Sequence, residues 1–195
     1  YIGVFMANLL TLAEYKVLKG ESSSNLNEDA RIEANITSVS NAVKEYIGRS
    51  LIDYFSTTKT EYYKGNEPFI LLKEYPIVAA VVSYKTSTGY TNLVEGTDYY
   101  IESDSGIIES IDDTGFDSTS RDPKFIKVEY TAGFETAPKD IKMAVADLVE
   151  KQIKQEHSIS KSMGGQDTMN YPAAPVGRFP THIAIILDMY RVPMG

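Results

Sequence analysis

Apolar residues recur every three or four positions towards both ends of the chain. Through its middle they alternate or form short unbroken runs, so helical and extended segments separate along the sequence. Near the start, Thr11 and Glu14 stand at the spacing of a capping box. Leu10 is placed to staple onto Tyr15, and Gly20 suits the position after a helix end. Beyond the polar linker ESSSNLN, the residues Ile32, Ile36, Val39, Val43, Tyr46 and Ile47 mark one face of a long amphipathic helix reaching about Ser50. From about Thr57 the period changes. TKTEYY alternates, PFILLK is a short apolar run, and VAAVVSYKT is β-branched and ends in STG. YYIES and GIIES flank Asp104-Ser105-Gly106 and predict a hairpin. FIKVEYTA closes the extended region with Ile126, Val128 and Tyr130 on one face.

In VEYTAGFETAPKDIKMA the strand stops at Gly133. A helix then starts with Pro138 at its first position, where the missing N–H costs nothing. Ile141, Ala144, Val145, Leu148, Val149 and Ile153 give that helix a wide apolar face. Residues 158–179 are rich in Ser, Gly and Pro without periodicity and predict a long loop or tail. A last helix begins near Thr181, with Ile183, Ile186, Leu187 and Tyr190 on one face, and stops before Pro193. The expectation is an α+β fold: a mostly helical body of about four helices, with an antiparallel β region of five or six strands inserted between the second and third long helices. The corresponding divisions are an N-terminal arm over 1–10, a domain over 11–157 carrying the β insertion at about 57–132, and a C-terminal loop-and-helix arm over 158–195. Met6 is a candidate initiator, with residues 1–5 a leader, and YIGVF is too short and uncharged for a signal peptide.

Charge sharpens the picture. Of 27 acids and 19 bases, nine acids (Glu95, Asp98, Glu102, Asp104, Glu109, Asp112, Asp113, Asp117, Asp122) and one base (Arg121) fall between Asn92 and Asp122. Eighteen of each remain elsewhere, so the whole net charge of −8 resides in one turn-rich segment. A general nucleic-acid binder needs a basic stripe for counterion release, and this chain carries the opposite. No run approaches the length of a membrane helix. With no cysteine there is neither a disulfide framework nor a thiolate zinc site, which fits a reducing compartment.

Candidate chemistry is sparse. His157 and His182 sit at a helix end and a helix start with no paired ligand motif, which favours a structural role. The acids from Glu102 to Asp117 resemble a calcium-holding loop only in number. They lack the alternating spacing with a central glycine, so a solvated or partner-facing surface is expected. No G-x-S-x-G, Walker loop or dinucleotide fingerprint is present, and Gly164-Gly165 follows no strand. The fourteen tyrosines lack interleaved basic residues and are expected in the core or at interfaces. No catalytic residue, cofactor site or metal site emerges.

Several stretches together resemble the head–tail connector proteins of tailed bacteriophages, also described as portal adaptors or phage DNA-packaging proteins. LLTLAEYKVLKG resembles that family's entry helix, and AVKEYIGRSL the end of its long helix. FILLKEYPIVAAVVSY is similar to its strand–YPI–strand passage, and GTDYYIESDSGII to its hairpin. VEYTAGFETAPKDIKMAV resembles its return from strand to helix, and ILDMYRVP its last helix. The resemblance covers roughly residues 9–193. It departs in the longer segment before the last helix, and in Ser50-Leu51, where the family often has an aromatic residue. It implies a non-enzymatic structural protein of the virion neck. Such proteins form a ring, commonly twelve-fold, on the portal protein and hand over to a stopper or tail-completion protein. DNA passes through without specific binding, no membrane is involved, and the protein is made in the bacterial cytoplasm. Candidate partner-facing residues are Ile183, Ile186, Leu187, Tyr190 and Arg191 of the last helix, and Asp112, Asp113 and Asp117 of the acidic segment. Two other classes fit the same residues. One is another virion or tail-tube module, such as a tail terminator or adhesin domain. The other is a carboxylate-based hydrolase, which a pocket gathering perturbed Asp or Glu side chains would favour.

Overall fold

The computed structural model describes residues 7–22, 25–112, 115–116, 122–161 and 179–192, with side chains to residue 154 in the third helix. Helices α1 (Leu12–Lys19) and α2 (Leu26–Ile47) come first. Seven strands follow: β1 (Lys59–Tyr63), β2 (Phe69–Leu71), β3 (Ile77–Thr86), β4 (Gly89–Asn92), β5 (Tyr99–Glu102), β6 (Ile107–Ser110) and β7 (Ile126–Ala132). Helices α3 (Lys139–Lys161) and α4 (Thr181–Asp188) complete the order. The chain is α+β, with its β region inserted between α2 and α3. It divides into a helical unit, Tyr1–Gly48 with Thr136–Gly195, and a β unit, Arg49–Glu135.

In the helical unit the Thr11 hydroxyl accepts from the Glu14 N–H at 3.2 Å, and the Glu14 carboxylate accepts from the Thr11 N–H at 3.0 Å. The expected capping box is therefore closed. Helix α2 starts at Asn25, whose side chain accepts from the Asn27 N–H at 3.2 Å. It stops at Gly48 (φ 78°), short of Ser50, because the left-handed residue turns the backbone out of the helix. Ile32, Ile36, Val39, Val43 and Ile47 are buried along its inner face. They meet α3, the most extensive helix–helix packing of the unit. Among the described side chains of α3, Ile141, Ala144, Val145, Ala146 and Val149 are buried, while Leu148 and Ile153 are half-buried. Each fully buried valine or isoleucine stabilises by about 1.5–3 kcal/mol. The Pro138 carbonyl accepts the first helical bond, from Lys142 at 2.9 Å, so Pro138 stands just before the first helical residue and α3 starts at Lys139, one position later than the sequence suggests. At its far end α3 extends to Lys161, four residues into the segment expected as loop.

Helix α1 is held by ion pairs on both sides. Lys16 reaches Asp29 of α2 at 2.6 Å, Glu14 reaches Lys142 of α3 at 2.6 Å, and Lys19 reaches Asp147 and Glu150 at 2.6 Å each. The Glu150 carboxyl, bonded by Lys154 and then by Lys19, is held down to about 2.

The β unit holds two antiparallel sheets, ordered β1-β7-β3-β4 and β2-β6-β5. Their inner faces share one core of Ile70, Leu72, Ile77, Val82, Tyr99, Ile108, Ile126, Val128, Tyr130 and Ala132. The expected β5–β6 hairpin forms, with Tyr99 opposite Ser110 and Glu102 opposite Ile107. Strand β4 adds to the expected number. All four of its residues are exposed, so it has no alternation to betray it. It forms because the turn after Thr86 returns the chain beside β3.

Candidate assembly surfaces

The structure assembles the C-terminal helix from its proline start. Pro180 (φ −54°) gives no side-chain cap, and its carbonyl accepts from Ile183 at 3.0 Å and Ala184 at 2.9 Å. Ile183 and Leu187, one turn apart, are buried within the helical unit. The Tyr190 hydroxyl donates to the Asp140 carboxylate at 2.8 and 3.0 Å, tying the end of α4 to the first turn of α3. The Tyr46 hydroxyl donates to Asp188 at 2.9 Å, and this bond, ahead of burial, raises the Tyr46 pKa. The Phe179 ring stands edge-on to Tyr46 at 5.1 Å, and the Arg191 guanidinium lies 5.3 Å from the same ring. Finally the Val192 N–H donates to the Ile47 carbonyl at 3.0 Å, satisfying a last-turn acceptor of α2.

The five residues singled out on this helix therefore do not form one exposed face. Ile183 and Leu187 are internal, Ile186 and Tyr190 are half-buried, and Arg191 alone of the five is exposed. The apolar residues that α4 and its C-cap present to solvent are Ile185 (62 % exposed) and Met189 (67 %), four residues apart, with His182 exposed on the turn before. Their spacing is readable, but Ile183–Leu187 is apolar throughout, on every side of the helix. The stripe that packs could not be told from the stripe that does not.

The acidic segment sorts into two groups. Some carboxylates hold turns: Asp98 accepts from the Val94 N–H at 2.7 Å, and Glu102 from the Ser105 hydroxyl at 2.6 Å. Asp122 accepts from Lys85 at 2.7 Å and from the Lys124 N–H at 2.9 Å, and the Lys85 bond is the largest of the effects that lower its pKa. Others face water, among them Glu95, Asp104, Glu109 and Asp112. Asp113 and Asp117 lie outside the described residues, as does the side chain of His157. Among the described residues no group of three or more His, Asp or Glu is placed to hold a metal ion.

The buried charges of the β unit are tied into its frame. Glu74, 3 % exposed, accepts the Ser50 N–H with both oxygens at 3.0 and 3.2 Å, and Lys59 stands 3.5 Å away. Lys59 also pairs with Glu61 at 3.0 Å, and the Tyr63 hydroxyl donates to Glu61. Burial pushes the Glu61 carboxyl up, but the Tyr63 hydroxyl and the Lys59 charge outweigh it and leave the pKa lowered. Burial, followed by the Glu61 bond, raises the Tyr63 pKa. Arg49 donates to the Tyr75 carbonyl at 2.7 Å and lies 3.6 Å over the Tyr75 ring. Charges satisfied in this way are anchors for the chain.

A family model for head completion proteins matches residues 8–192. The head completion protein of Escherichia phage T5 is 35 % identical over 68 residues, 34 % of this chain and 39 % of that protein. The match thus spans well under half of the curated relative. Among solved structures, a chain from the neck of an empty gene transfer agent particle, computed with C6 symmetry, superposes with TM-score 0.58 at 16 % identity. That alignment covers 96 % of this chain and 91 % of the other. A chain of the native gene transfer agent virion gives 0.58 at 13 %, covering 100 % and 94 %. One from the native neck, computed with C12 symmetry, gives 0.54 at 14 %, covering 100 % and 93 %. At such identities the likeness is one of fold.

Proposed function

The chain belongs to the head completion protein family, and from that premise we propose that it is a structural head–tail connector in the neck of a tailed phage or prophage. It forms a ring on the portal protein, joins it to a stopper or tail-completion protein, and lets DNA pass. The observation that carries this reading is the family match across residues 8–192, which takes in both structural units. The fold shared along nearly the whole chain with proteins of gene transfer agent necks supports the same place in a particle. The protein acts by contact: it has no reaction to perform, and its buried carboxylates are engaged by backbone and lysine. The net charge of −8 suits a passage for DNA, because a basic wall would retain the phosphates.

The test is genetic and structural together. A particle lacking this gene is expected to yield DNA-filled heads without tails. Supplying the full chain should restore tailed particles, with density for it between portal and tail. Normal tail joining without the chain rejects the reading.

A further inference from the structure

The β unit turns two unlike faces outward. In the three-stranded sheet Phe69 lies opposite Glu109, which lies opposite Tyr100, and in the next row Leu71, Ile107 and Glu102 stand side by side. The intervening Ile70 and Ile108 lie in the core and Ile101 packs against it, as Tyr99 does in the row beyond. By strand alternation the outer row is therefore two aromatics around a carboxylate, with Phe69 58 % and Tyr100 57 % exposed. β2, β5 and β6 contain no lysine or arginine, so Glu102 and Glu109 leave this apolar face negative.

The four-stranded sheet presents the complement. Tyr62 lies opposite Lys127, and Tyr90 opposite Lys85, on the face away from the core. The two tyrosine rings are 6.3 Å apart. The Lys127 ammonium is 5.1 Å from the Tyr90 ring, and the Lys124 ammonium 5.5 Å from the Tyr62 ring. Val81, opposite Glu129 on the same face, is exposed. Lys127 pairs with Glu129 at 2.8 Å and Lys85 with Asp122 at 2.7 Å. Among the described residues, three lysines against two acids leave this aromatic face net positive.

We propose that these two faces meet between copies of this chain, the Phe69–Tyr100 face of one copy on the Tyr62–Tyr90 face of the next. The proposal rests on the ring assembly inferred above and names its contact. The two sheets share one core, so their outer faces look away on opposite sides of the unit. A face on one side that fits a face on the other is the head-to-tail relation from which rings are built. Charge fixes the pairing: like faces would set carboxylates on carboxylates, whereas unlike faces set them on lysines.

Size supports a weak contact. Three strands about 4.8 Å apart and three or four residues long offer a footprint of roughly 15 Å by 15 Å. That is well short of the ~800 Å² per partner of a stable pair. Two copies should part in dilute solution and hold when a closed ring gives every copy two such contacts.

The absence of cysteine from the sequence makes the test clean. The full chain carrying Tyr62→Cys with Tyr100→Cys, treated with a short bismaleimide at about millimolar concentration, should give a ladder of covalent multimers. Mixing the two single variants should stop at dimers. Adding Glu102→Lys with Glu109→Lys should cut the ladder tenfold or more. Adding Lys124→Glu with Lys127→Glu to that variant should restore it. A second cysteine pair, Thr60→Cys with Leu71→Cys, covers the case in which a tyrosine variant folds poorly. No ladder with either pair, or a ladder indifferent to the charge reversals, overturns the proposal. If the unmodified chain still restores tail joining, the connector role stands and only this contact falls. If joining is not restored either, both fall.

Discussion

The carbonyl oxygen of Leu51 lies 2.3 Å from the place a Cβ on Gly133 would occupy. Gly133 has φ 99°, and Leu51 itself is buried with φ 69°. The Phe134 N–H donates to the same Leu51 carbonyl at 2.7 Å, and the Gly133 N–H to Pro76 at 2.8 Å. The end of β7 is thus bonded to the start of the β unit through a spot with no room for a side chain. Gly133→Ala should cost ~2–4 kcal/mol, combining the left-handed strain with a backbone clash. Urea unfolding measures it; a loss under about 1 kcal/mol would contradict the crowding. The sequence shows that a strand ends at this glycine. It does not show why glycine is required, because the crowding atom belongs to a residue far away along the chain.

Within the helical unit, Ile141→Ala should cost ~2–5 kcal/mol, the range for a buried isoleucine that leaves a cavity. Leu148→Ala should cost clearly less, because Leu148 is half-buried where Ile141 is fully so. Equal losses in urea unfolding would place the two side chains in equivalent surroundings. Periodicity was enough to find the face of α3 and its partner α2. It ranked Leu148 with the core because a 3.6-residue repeat marks a stripe, whereas burial falls away gradually at the stripe's edge.

Acid should weaken the fold through its paired carboxylates. Glu14, Glu61, Asp122 and Glu150 all have lowered pKa values. A depressed folded-state pKa means that the unfolded chain binds more protons, so the stabilisation is present above the ordinary carboxyl range. It is lost as pH falls through the folded values, which reach about 2 at Glu150. Urea midpoints should therefore decline from about pH 5 downward. In Glu61→Gln that decline should be shallower than in the parent, and an unchanged slope would remove Glu61 from the account.

Of the acidic segment, the sequence revealed the excess charge but not its division between turn-holding and solvent-facing carboxylates. That division depends on which backbone N–H a turn brings within reach, as Val94 is brought to Asp98. Asp112 is exposed. Asp112→Asn with Asp113→Asn and Asp117→Asn should leave the free energy of unfolding in urea within about 0.5 kcal/mol of the parent. In a complementation assay the docking reading expects the same variant to lose joining to the tail-side partner proposed above while still binding the portal. Normal joining with slowed DNA passage would instead make these acids part of a channel wall, and no change would make them a solvated loop.

The last helix separates packing from docking by face. Ile183 and Leu187 are buried, so Leu187→Ala should cost ~2–5 kcal/mol. Deleting residues 158–195 would strip both from the helical unit and could not report on partner binding alone. Ile185 and Met189 are exposed on the same helix and its C-cap. Ile185→Ser with Met189→Ser should therefore leave stability within about 0.5 kcal/mol. If α4 docks on the portal or a neighbouring subunit through its outward face, that pair should nonetheless abolish tail joining, as an apolar helix face in a groove requires its anchors. Full joining by a stable Ile185→Ser/Met189→Ser protein would show that α4 serves its own domain alone.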